Sequence, residues 1–363
     1  MEILFWSSAF VIAYVYVGYP VLIAAWARLR PRPARKAAFT EDAWPAISII
    51  VAARNESARL PARIENLIAL DYDGPREIIV VSDGSTDGTR AALAPYASRV
   101  RLIEVPAGGK PQALNAGVAA ATGDLLIFAD ARQRFVMGAL RALVANFADA
   151  EVGGATGELV LDCESGAAAS TIGDGVGAYW KYEKWLRRKE GLVRSTLGAT
   201  GAIYALRREL WQPLPADTLL DDVLGPMRAV LAGWRIVFEE EAIAFDRTAP
   251  DAAVEARRKR RTLAGNYQIL AQEPRLLVPF VNPVWLQYVS HKVGRLLVPW
   301  ALLACLVSST ALASTGWIYA MAFAAQVVFY GLAVVGAWLD TQGRGTDAPF
   351  GPKLPITLGK EAR

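Results

Sequence analysis

Histidine and cysteine are scarce in this sequence, and their scarcity excludes several classes of metal site. Among 363 residues there is one histidine, His291, and there are two cysteines, Cys163 and Cys305. A single imidazole excludes a metal site built from clustered histidines. The cysteines fall in a predicted cytoplasmic domain and in a predicted membrane helix, so they suggest neither a disulfide nor a thiolate metal site.

Charged residues are absent from two long stretches. Residues 3–27 contain none, and as a helix they would cover about 37 Å, enough to cross a hydrocarbon core of ~30 Å. Residues 296–339 also contain none but would extend about 66 Å, which predicts two helices joined by a hairpin at residues 308–316. The first run lacks a basic start and is too long for a signal peptide, which favours a membrane anchor. We therefore expect three crossings.

Basic residues flank these apolar runs and predict their orientation. Arginine and lysine recur over residues 28–36, and Lys292 and Arg295 precede the second run. Because basic residues favour the cytoplasmic side, we expect an external N-terminus with a cytoplasmic middle domain and tail in the cytoplasmic (inner) membrane. The net charge of +4 is modest and its clusters adjoin the apolar runs. Membrane lipids are therefore the expected partners, and nucleic acid is not.

Prolines and an aromatic residue mark one further segment. Residues 276–288 include Pro279, Pro283 and Trp285, a composition that predicts an interfacial helix segment at the headgroup level and not a regular spanning helix. The expected domains are a transmembrane helix over 1–27, a basic Pro-rich linker over 28–44, a cytoplasmic domain over 45–275, an interfacial segment over 276–295, a transmembrane hairpin over 296–339 and a cytoplasmic tail over 340–363.

Between residues 45 and 130, short apolar runs alternate with helix-forming segments. This order predicts an α/β fold with a mostly parallel sheet and helices on both faces. Such sheets bind ligands at the carboxyl ends of their strands. The predicted strands are residues 47–51, 77–81, 100–105 and 125–129, and the predicted helices are residues 60–70, 87–96 and 110–121.

Polar residues follow these strands at one expected edge. Residues 54–56 follow the first strand, 82–89 the second and 130–132 the fourth, while Gly-Gly-Lys at 108–110 opens the third helix and could meet a phosphate. Each alone is typical of a turn or a helix cap, but their convergence on one edge favours a ligand site. No Gly-x-Gly-x-x-Gly follows the first strand, which argues against a dinucleotide-binding dehydrogenase.

Together these motifs resemble the large inverting glycosyltransferase family 2, whose membrane members include cellulose, chitin, hyaluronan and poly-N-acetylglucosamine synthases. The resemblance covers roughly residues 45–300 and is strongest over 80–89, Val-Val-Ser-Asp-Gly-Ser-Thr-Asp-Gly-Thr. It implies a GT-A fold and a UDP-sugar donor. The donor-binding residues that it implies are Ala53 and Glu56 at the nucleoside, Asp83 at the uracil edge and Lys110 at the diphosphate.

Asp130 matches the first aspartate of the family's Asp-x-Asp metal motif, which here reads Asp130-Ala131-Arg132. The resemblance implies a divalent cation, Mg²⁺ or Mn²⁺, held by Asp130. Hard cations take oxygen ligands, and donor phosphates with water could complete the shell around one carboxylate. The missing second carboxylate leaves an alternative open, in which Arg132 offsets the phosphate charge directly.

Residues 218–223, Thr-Leu-Leu-Asp-Asp-Val, resemble the family's Glu-Asp catalytic motif. The resemblance implies that Asp222 is the catalytic base and that Asp221 takes the place of the glutamate on the acceptor side. The alternative is a pair of acids at an ordinary helix start, where the helix dipole favours negative charge.

Residues 257–265 occupy the place of the family's Gln-x-x-Arg-Trp-x-x-Gly motif. The resemblance puts Arg258 and Arg261 at the donor diphosphate, where negative charge accumulates as the bond to the sugar breaks. Binding of this basic run to lipid headgroups is the alternative, and both can hold. Thr262 stands where processive synthases have an acceptor-holding tryptophan.

Gly201 and Trp180 resemble acceptor-side elements of the family. The sequence thus predicts an inverting hexosyltransferase that moves sugar from a UDP-sugar to a lipid-linked or saccharide acceptor, in surface or extracellular polysaccharide synthesis. Thr262 and only three crossings argue against a synthase that exports its polymer unaided. Two alternatives remain: a processive synthase that relies on a homo-oligomer or export partner, and an inactive nucleotide-sugar-binding scaffold.

Overall fold

The computed structural model describes residues 1–36, 43–162, 171–247 and 252–343. Cys163, part of the predicted linker and most of the predicted tail lie outside these ranges. The chain forms two compact units. One comprises Tyr14–Leu297 and contains every predicted site residue, and the other combines Met1–Ala13 with the chain from Val298 onward.

Eight strands in the described residues form one sheet, in the order β3-β2-β1-β4-β7-β6-β8-β5. The strands are β1 Ile47–Ala53, β2 Arg76–Asp83, β3 Val100–Val105, β4 Leu125–Asp130, β5 Arg134–Phe135, β6 Val152–Asp162, β7 Ile203–Arg207 and β8 Arg235–Arg247.

The helices surround this sheet or lie in the apolar segments. They are α1 Glu2–Ala13, α2 Tyr19–Leu29, α3 Leu60–Ala69, α4 Thr89–Leu93, α5 Lys110–Ala120, α6 Ala139–Ala145, α7 Thr171–Val193, α8 Asp221–Leu231, α9 Ala252–Gln272, α10 Trp285–Tyr288, α11 Gly294–Leu312 and α12 Trp317–Gly343. One π-helical turn, Tyr14–Gly18, connects α1 to α2, and another, Val289–Val293, connects α10 to α11.

The predicted parallel half of the sheet is confirmed. β1 pairs in parallel with β2 and β4, and β2 pairs in parallel with β3. Beyond β4 the sheet becomes mixed, because β7 lies antiparallel between β4 and β6, whereas β6 and β8 are parallel. The whole is a mostly parallel α/β sheet, as the sequence predicts.

Both faces of the sheet are covered, as the sequence predicts. Ile49 and Val51 of β1 pack in one apolar cluster with Ile64 of α3, while Ile50 points to the opposite face and packs with Leu114 of α5. α5 approaches closely because Gly117 has no side chain: a Cβ there would lie 2.7 Å from Ile50 Cγ2. These helices fix which loops reach the carboxyl edge.

Three helices are long and apolar enough to cross a membrane, judged by length and composition among the described residues: Glu2–Leu29, Trp285–Leu312 and Trp317–Gly336. The second begins at Trp285, earlier than the predicted start at Leu296. Pro279 and Pro283, which disfavour a helix, precede this start, so the chain becomes helical directly after them.

The connection between the last two helices is also shorter than the predicted hairpin over residues 308–316. α11 continues to Leu312 and α12 starts at Trp317. Ser308 stays helical because its hydroxyl donates to the Ala304 carbonyl at 2.7 Å, so its polar group is satisfied inside the helix.

The predicted interfacial segment contains an exposed apolar loop between α9 and α10. Phe280 is fully exposed and has a left-handed φ of 68°. Side-chain hydrogen bonds to the main chain close the base of this loop, from Asn282 Nδ2 to the Leu276 carbonyl at 2.8 Å and from Trp285 Nε1 to the Leu277 carbonyl at 2.9 Å. The loop thus presents Phe280 outward from a fixed base.

Candidate active site

The carboxyl edge of the parallel strands brings the acidic residues together with one lysine. Asp83 and Asp130 end β2 and β4, the strands on either side of β1. Lys110 opens α5, and its Nζ lies 3.1 Å from Asp130 Oδ1 and 3.1 Å from Asp221 Oδ2. Burial by itself lowers the pKa of this ammonium, but Asp221, Asp130 and Asp222 outweigh burial and raise the pKa above its ordinary value.

Asp83 holds the loop that carries Lys110. Its Oδ1 accepts the Gly108 N–H at 2.6 Å and the Gly109 N–H at 3.1 Å, and its Oδ2 accepts the Gly109 N–H at 3.0 Å. Gly109 has a φ of 88°, which favours glycine at this turn. The carboxylate predicted to contact uracil is therefore already bonded to the neighbouring loop.

The residues predicted to line the nucleoside pocket lie beside Asp83. Ala53 is buried at the end of β1 and is paired in register with Ser82. Glu56 follows in the next loop and forms an ion pair with Arg59 at 2.6 Å. These positions place both predicted residues at the carboxyl edge.

Asp222 lies in the first turn of α8, beside a backbone donor. Its Oδ2 accepts the Gly201 N–H at 3.1 Å, and its carbonyl accepts the Ala199 N–H at 2.7 Å. A Cβ on residue 201 would lie 2.9 Å from Asp222 Oδ2, so glycine permits this approach. Burial, reinforced by the charge of Asp221, raises the pKa of Asp222 to about 6. The geometry suits a carboxylate that accepts a proton near neutral pH.

This pKa predicts an acid limit on activity. If Asp222 acts as base, only its ionised form is active, so kcat/KM falls about tenfold per pH unit below pH ~6. The measurement is the initial rate of nucleotide release from the sugar donor from pH 5 to 8 at low substrate concentration. Because Asp221 and Lys110 titrate in the same electrostatic field, the midpoint belongs to the cluster as a whole. A rate unchanged down to pH 5 contradicts the role of Asp222.

Helix α9 supports the chain immediately before the two aspartates. Arg261 Nη2 donates to the Leu219 carbonyl at 2.9 Å, and Gln268 Oε1 accepts the Leu219 N–H at 2.9 Å. A Cβ on Gly265 would lie 2.5 Å from Leu220 Cγ, which explains glycine at this contact. Arg258 is half-buried on the same helix. The basic run is thereby linked to the backbone that carries Asp221.

Arg132 is tied to the other half of the sheet. Its Nε lies 3.1 Å from Asp246 Oδ2, the same oxygen that accepts Gln133 Nε2 at 3.0 Å. The alternative in which Arg132 contacts donor phosphate therefore requires it to leave Asp246.

A divalent cation fits this edge only together with other ligands. Within the described residues, no group of three or more His, Cys, Asp or Glu side chains could hold a metal ion. The oxygen of Asp130 suits Mg²⁺ or Mn²⁺, so such an ion would need donor phosphate oxygens and water to complete its shell. The chemistry of the donor set thus fits a metal that arrives with the nucleotide.

The surroundings of the predicted acceptor-side residues include two further cations, Arg187 and Lys292, which no sequence motif indicates. Trp180 lies on α7 with 39% of its surface exposed, in agreement with an accessible face. Arg187 Nη1, two turns further along α7, donates to Thr200 Oγ1, beside Gly201. Lys292, from the π-helical turn between α10 and α11, lies within electrostatic reach of Asp222. Only tertiary packing joins Arg187 and Lys292 to the site, so no local pattern indicates them.

Comparisons with known proteins agree with this geometry. The family description "Glycosyl transferase family 2" matches residues 48–209. An N-acetylglucosaminyltransferase of Rhizobium sp. (strain N33) is 25% identical over 320 residues, which cover 82% of this chain and 69% of that protein. An N-acetylglucosaminyltransferase of Bradyrhizobium elkanii is 33% identical over 124 residues, 32% of this chain and 67% of the relative.

The matching region covers only a minor part of some relatives. The match to a beta-monoglucosyldiacylglycerol synthase of Synechocystis sp., 36% identical over 117 residues, covers 30% of this chain and 24% of that protein. Among solved structures, a mannosyltransferase from Pyrobaculum calidifontis in complex with GDP-Man and Mn²⁺ has a TM-score of 0.68 at 22% identity. That match covers 91% of this chain and 92% of the other and shows a shared GT-A fold. The chain therefore belongs to glycosyl transferase family 2.

Proposed function

We propose that this protein is a membrane-bound inverting glycosyltransferase that moves a sugar from a UDP-sugar to a hydroxyl of a lipid-linked or saccharide acceptor. The observation that carries the proposal is the convergence on Lys110, whose Nζ lies 3.1 Å from both Asp130 and Asp221 while Asp222 is the next residue. A cation for phosphate and a base for a hydroxyl are the two groups that such a displacement needs.

Asp222 supplies the base. It takes the proton of the acceptor hydroxyl as that oxygen forms its bond to the anomeric carbon and the bond from that carbon to UDP breaks. Its raised pKa makes it a stronger base than an ordinary aspartate, and the Gly201 N–H orients one of its oxygens. One displacement inverts the anomeric centre, so an α-linked donor gives a β-linked product.

The basic residues stabilise the departing diphosphate. Lys110 exchanges its carboxylate contacts for phosphate oxygens, and Arg258 and Arg261 add positive charge from α9. Mg²⁺ or Mn²⁺ held by Asp130 would supply further positive charge to the same phosphates. Ala53, Glu56 and Asp83 bind the nucleoside. Because Asp83 also bonds the Gly108–Gly109 turn, nucleoside binding is coupled to the position of Lys110.

Three apolar helices support a reaction at a membrane surface. Three helices are of spanning length, and the exposed Phe280 loop suits insertion at the headgroup level. With an external N-terminus, the sheet domain faces the cytoplasm, where nucleotide sugars serve surface polysaccharide synthesis. The Synechocystis relative is named for a glycolipid product, which agrees with a lipid acceptor here.

The decisive experiment incubates the full-length protein in lipid vesicles with a panel of UDP- and GDP-sugars and lipid or saccharide acceptors. We expect UDP release from one UDP-sugar together with a product heavier by one sugar unit, and the loss of both with EDTA. NMR of the product should show a β-linkage from an α-linked donor.

Other outcomes separate the alternatives. A ladder of long products indicates a processive synthase, whereas UDP binding without UDP release in any mixture indicates a scaffold. Release of GDP alone contradicts the proposed nucleotide. Full activity in EDTA contradicts the proposed requirement for a divalent cation, but it leaves the proposed sugar transfer supported.

A further inference from the structure

Helix α7 packs against the start of the second apolar helix through a row of charged side chains. Glu183, Arg187 and Glu190 lie four and three residues apart, which puts them on one face of α7. Glu190 Oε1 lies 2.7 Å from His291 Nδ1, and Glu183 Oε2 lies 3.7 Å from His291 Nε2. This face therefore meets the segment that carries His291.

Other groups already bind the two carboxylates of this face. Glu190 accepts a hydrogen bond from the Tyr19 hydroxyl at 2.7 Å besides its contact with His291. Glu183 forms an ion pair with Arg295. Arg187 lies between the two acids, yet its one described hydrogen bond goes to the Thr200 hydroxyl. Among the described residues, Arg187 makes no ion pair.

Lys292 is a second cation in the same region as Arg187. It follows His291 in the π-helical turn Val289–Val293, so its side chain leaves the turn in a different direction from that of His291. Lys292 is half-buried and makes no ion pair within the described part of the chain. It lies within electrostatic reach of Asp222, of Arg187 and of the two acids Glu183 and Glu190. Arg187 and Lys292 thus bring two positive charges to this region, and neither makes a direct ion pair within the described residues.

Thr200 lies between Arg187 and the proposed base in the chain of hydrogen bonds. Its hydroxyl accepts the Arg187 hydrogen bond, and the next residue, Gly201, donates its N–H to Asp222 Oδ2 at 3.1 Å. The Thr200 N–H is held by Thr156 Oγ1 at 2.7 Å, so the loop is fixed in place. An anion bound by Arg187 would therefore lie beside the acceptor hydroxyl at Asp222.

We propose that Arg187, Lys292 and Thr200 form an acceptor site for a lipid-borne phosphate, next to the hydroxyl that Asp222 deprotonates. This inference rests on the proposed function and names its acceptor class. Two half-buried cations that make no ion pair within the described residues favour an anionic ligand. The donor diphosphate already has a cation of its own in Lys110, which pairs with Asp221. Because Asp222 provides a base, the attacking group is a hydroxyl and the phosphate serves as the binding group.

The position of Lys292 favours a phosphate carried by a lipid. It belongs to the apolar helix that begins at Trp285, within two turns of its start. Lysine and tryptophan near the end of a spanning helix lie at the headgroup level, where lipid phosphates are found.

The test compares two probes that differ only in phosphate, geranylgeranyl phosphate and geranylgeraniol. Binding to the full-length protein is measured in neutral detergent with UDP present, so that the donor site is filled. We expect the phosphate to bind roughly tenfold more tightly than the alcohol, as one or two charge-assisted contacts would give. Arg187→Gln and Lys292→Gln should each remove most of that preference, and Lys292→Arg should restore part of it.

Arg188→Gln is the matched control, because the neighbouring Arg188 is exposed and pairs with Glu240 at 2.8 Å. It should bind both probes like the parent protein. Competition by inorganic phosphate distinguishes the two sources: strong displacement of the lipid phosphate indicates a free-phosphate site and overturns the lipid assignment, whereas weak displacement supports it.

Equal binding of the two probes to the parent protein overturns the inference, as does an unchanged preference in both glutamine variants. UDP binding on the same samples reports folding and keeps the two proposals apart. A parent protein that binds UDP and shows no phosphate preference contradicts only the acceptor site. One that prefers the phosphate and binds no UDP contradicts only the proposed function.

Discussion

Asp222→Asn is expected to lower the rate of sugar transfer roughly a thousandfold while leaving UDP binding intact. The amide keeps the shape of the side chain and an oxygen for the Gly201 N–H but cannot take a proton, and general base catalysis contributes about 10²–10⁴ to a rate. The measurement is single-turnover transfer beside calorimetric UDP binding. Glu209→Gln, on an exposed turn outside the site, is the control.

The same variant should be more stable than the parent at alkaline pH. The pKa of Asp222 rises from its ordinary value to about 6 on folding, so the folded protein holds that proton more tightly. The resulting stability is fully present below pH ~4 and is lost as pH rises through ~6, an effect of about 3 kcal/mol. Thermal unfolding should therefore show a higher Tm for the variant at pH 8, and this gain should be absent at pH 4.

These two readouts contradict the role of Asp222 in different ways. Transfer that persists in a folded Asp222→Asn protein excludes it as the base. A Tm difference that is the same at pH 4 and pH 8 shows that ionised Asp222 carries no cost in the folded protein, so its pKa is then not raised.

Lys110→Met is expected to lower kcat/KM roughly a hundredfold or more and to move the acid limit of the remaining activity to higher pH. The rate falls because the diphosphate loses a cation in the transition state. The limit moves because Lys110 is one of the groups that lower the pKa of Asp222, while burial and Asp221 raise it. The measurement is the pH dependence of UDP release from pH 5 to 9.

Two comparisons give this prediction its specificity. Lys110→Arg keeps the charge and should keep the acid limit near that of the parent protein, even where its rate is reduced. Arg90→Met removes an exposed cation that pairs with Glu104 on the surface, and it should change neither quantity. An acid limit that stays in place in Lys110→Met contradicts the electrostatic coupling between Lys110 and Asp222.

The sequence was sufficient for the half of the sheet built from consecutive βαβ units. Its four strands follow one another along the chain with short crossovers, so local apolar runs and the handedness of such connections determine their pairing. It also placed Asp83, Lys110 and Asp130 at one edge. The antiparallel insertion of β7 was not predictable in this way, because its partners β4 and β6 are brought to it by long-range packing.

The contacts of the individual site residues depend on that packing as well. The Asp83 motif predicts a nucleoside ligand, but its bonds to Gly108 and Gly109 depend on how closely two loops approach. Arg132 stands in a recognisable metal motif, yet its partner Asp246 lies on β8, more than a hundred residues away.

The apolar helices, the parallel half of the sheet and the residue types at its edge are predictable from the amino-acid sequence, because each follows from local periodicity or a short motif. Long-range packing alone joins Lys110 to both Asp130 and Asp221, and it brings Arg187 to the Thr200–Gly201 loop that contacts Asp222. Charges act through space, and residues far apart in the chain become neighbours only when the helices and the sheet pack.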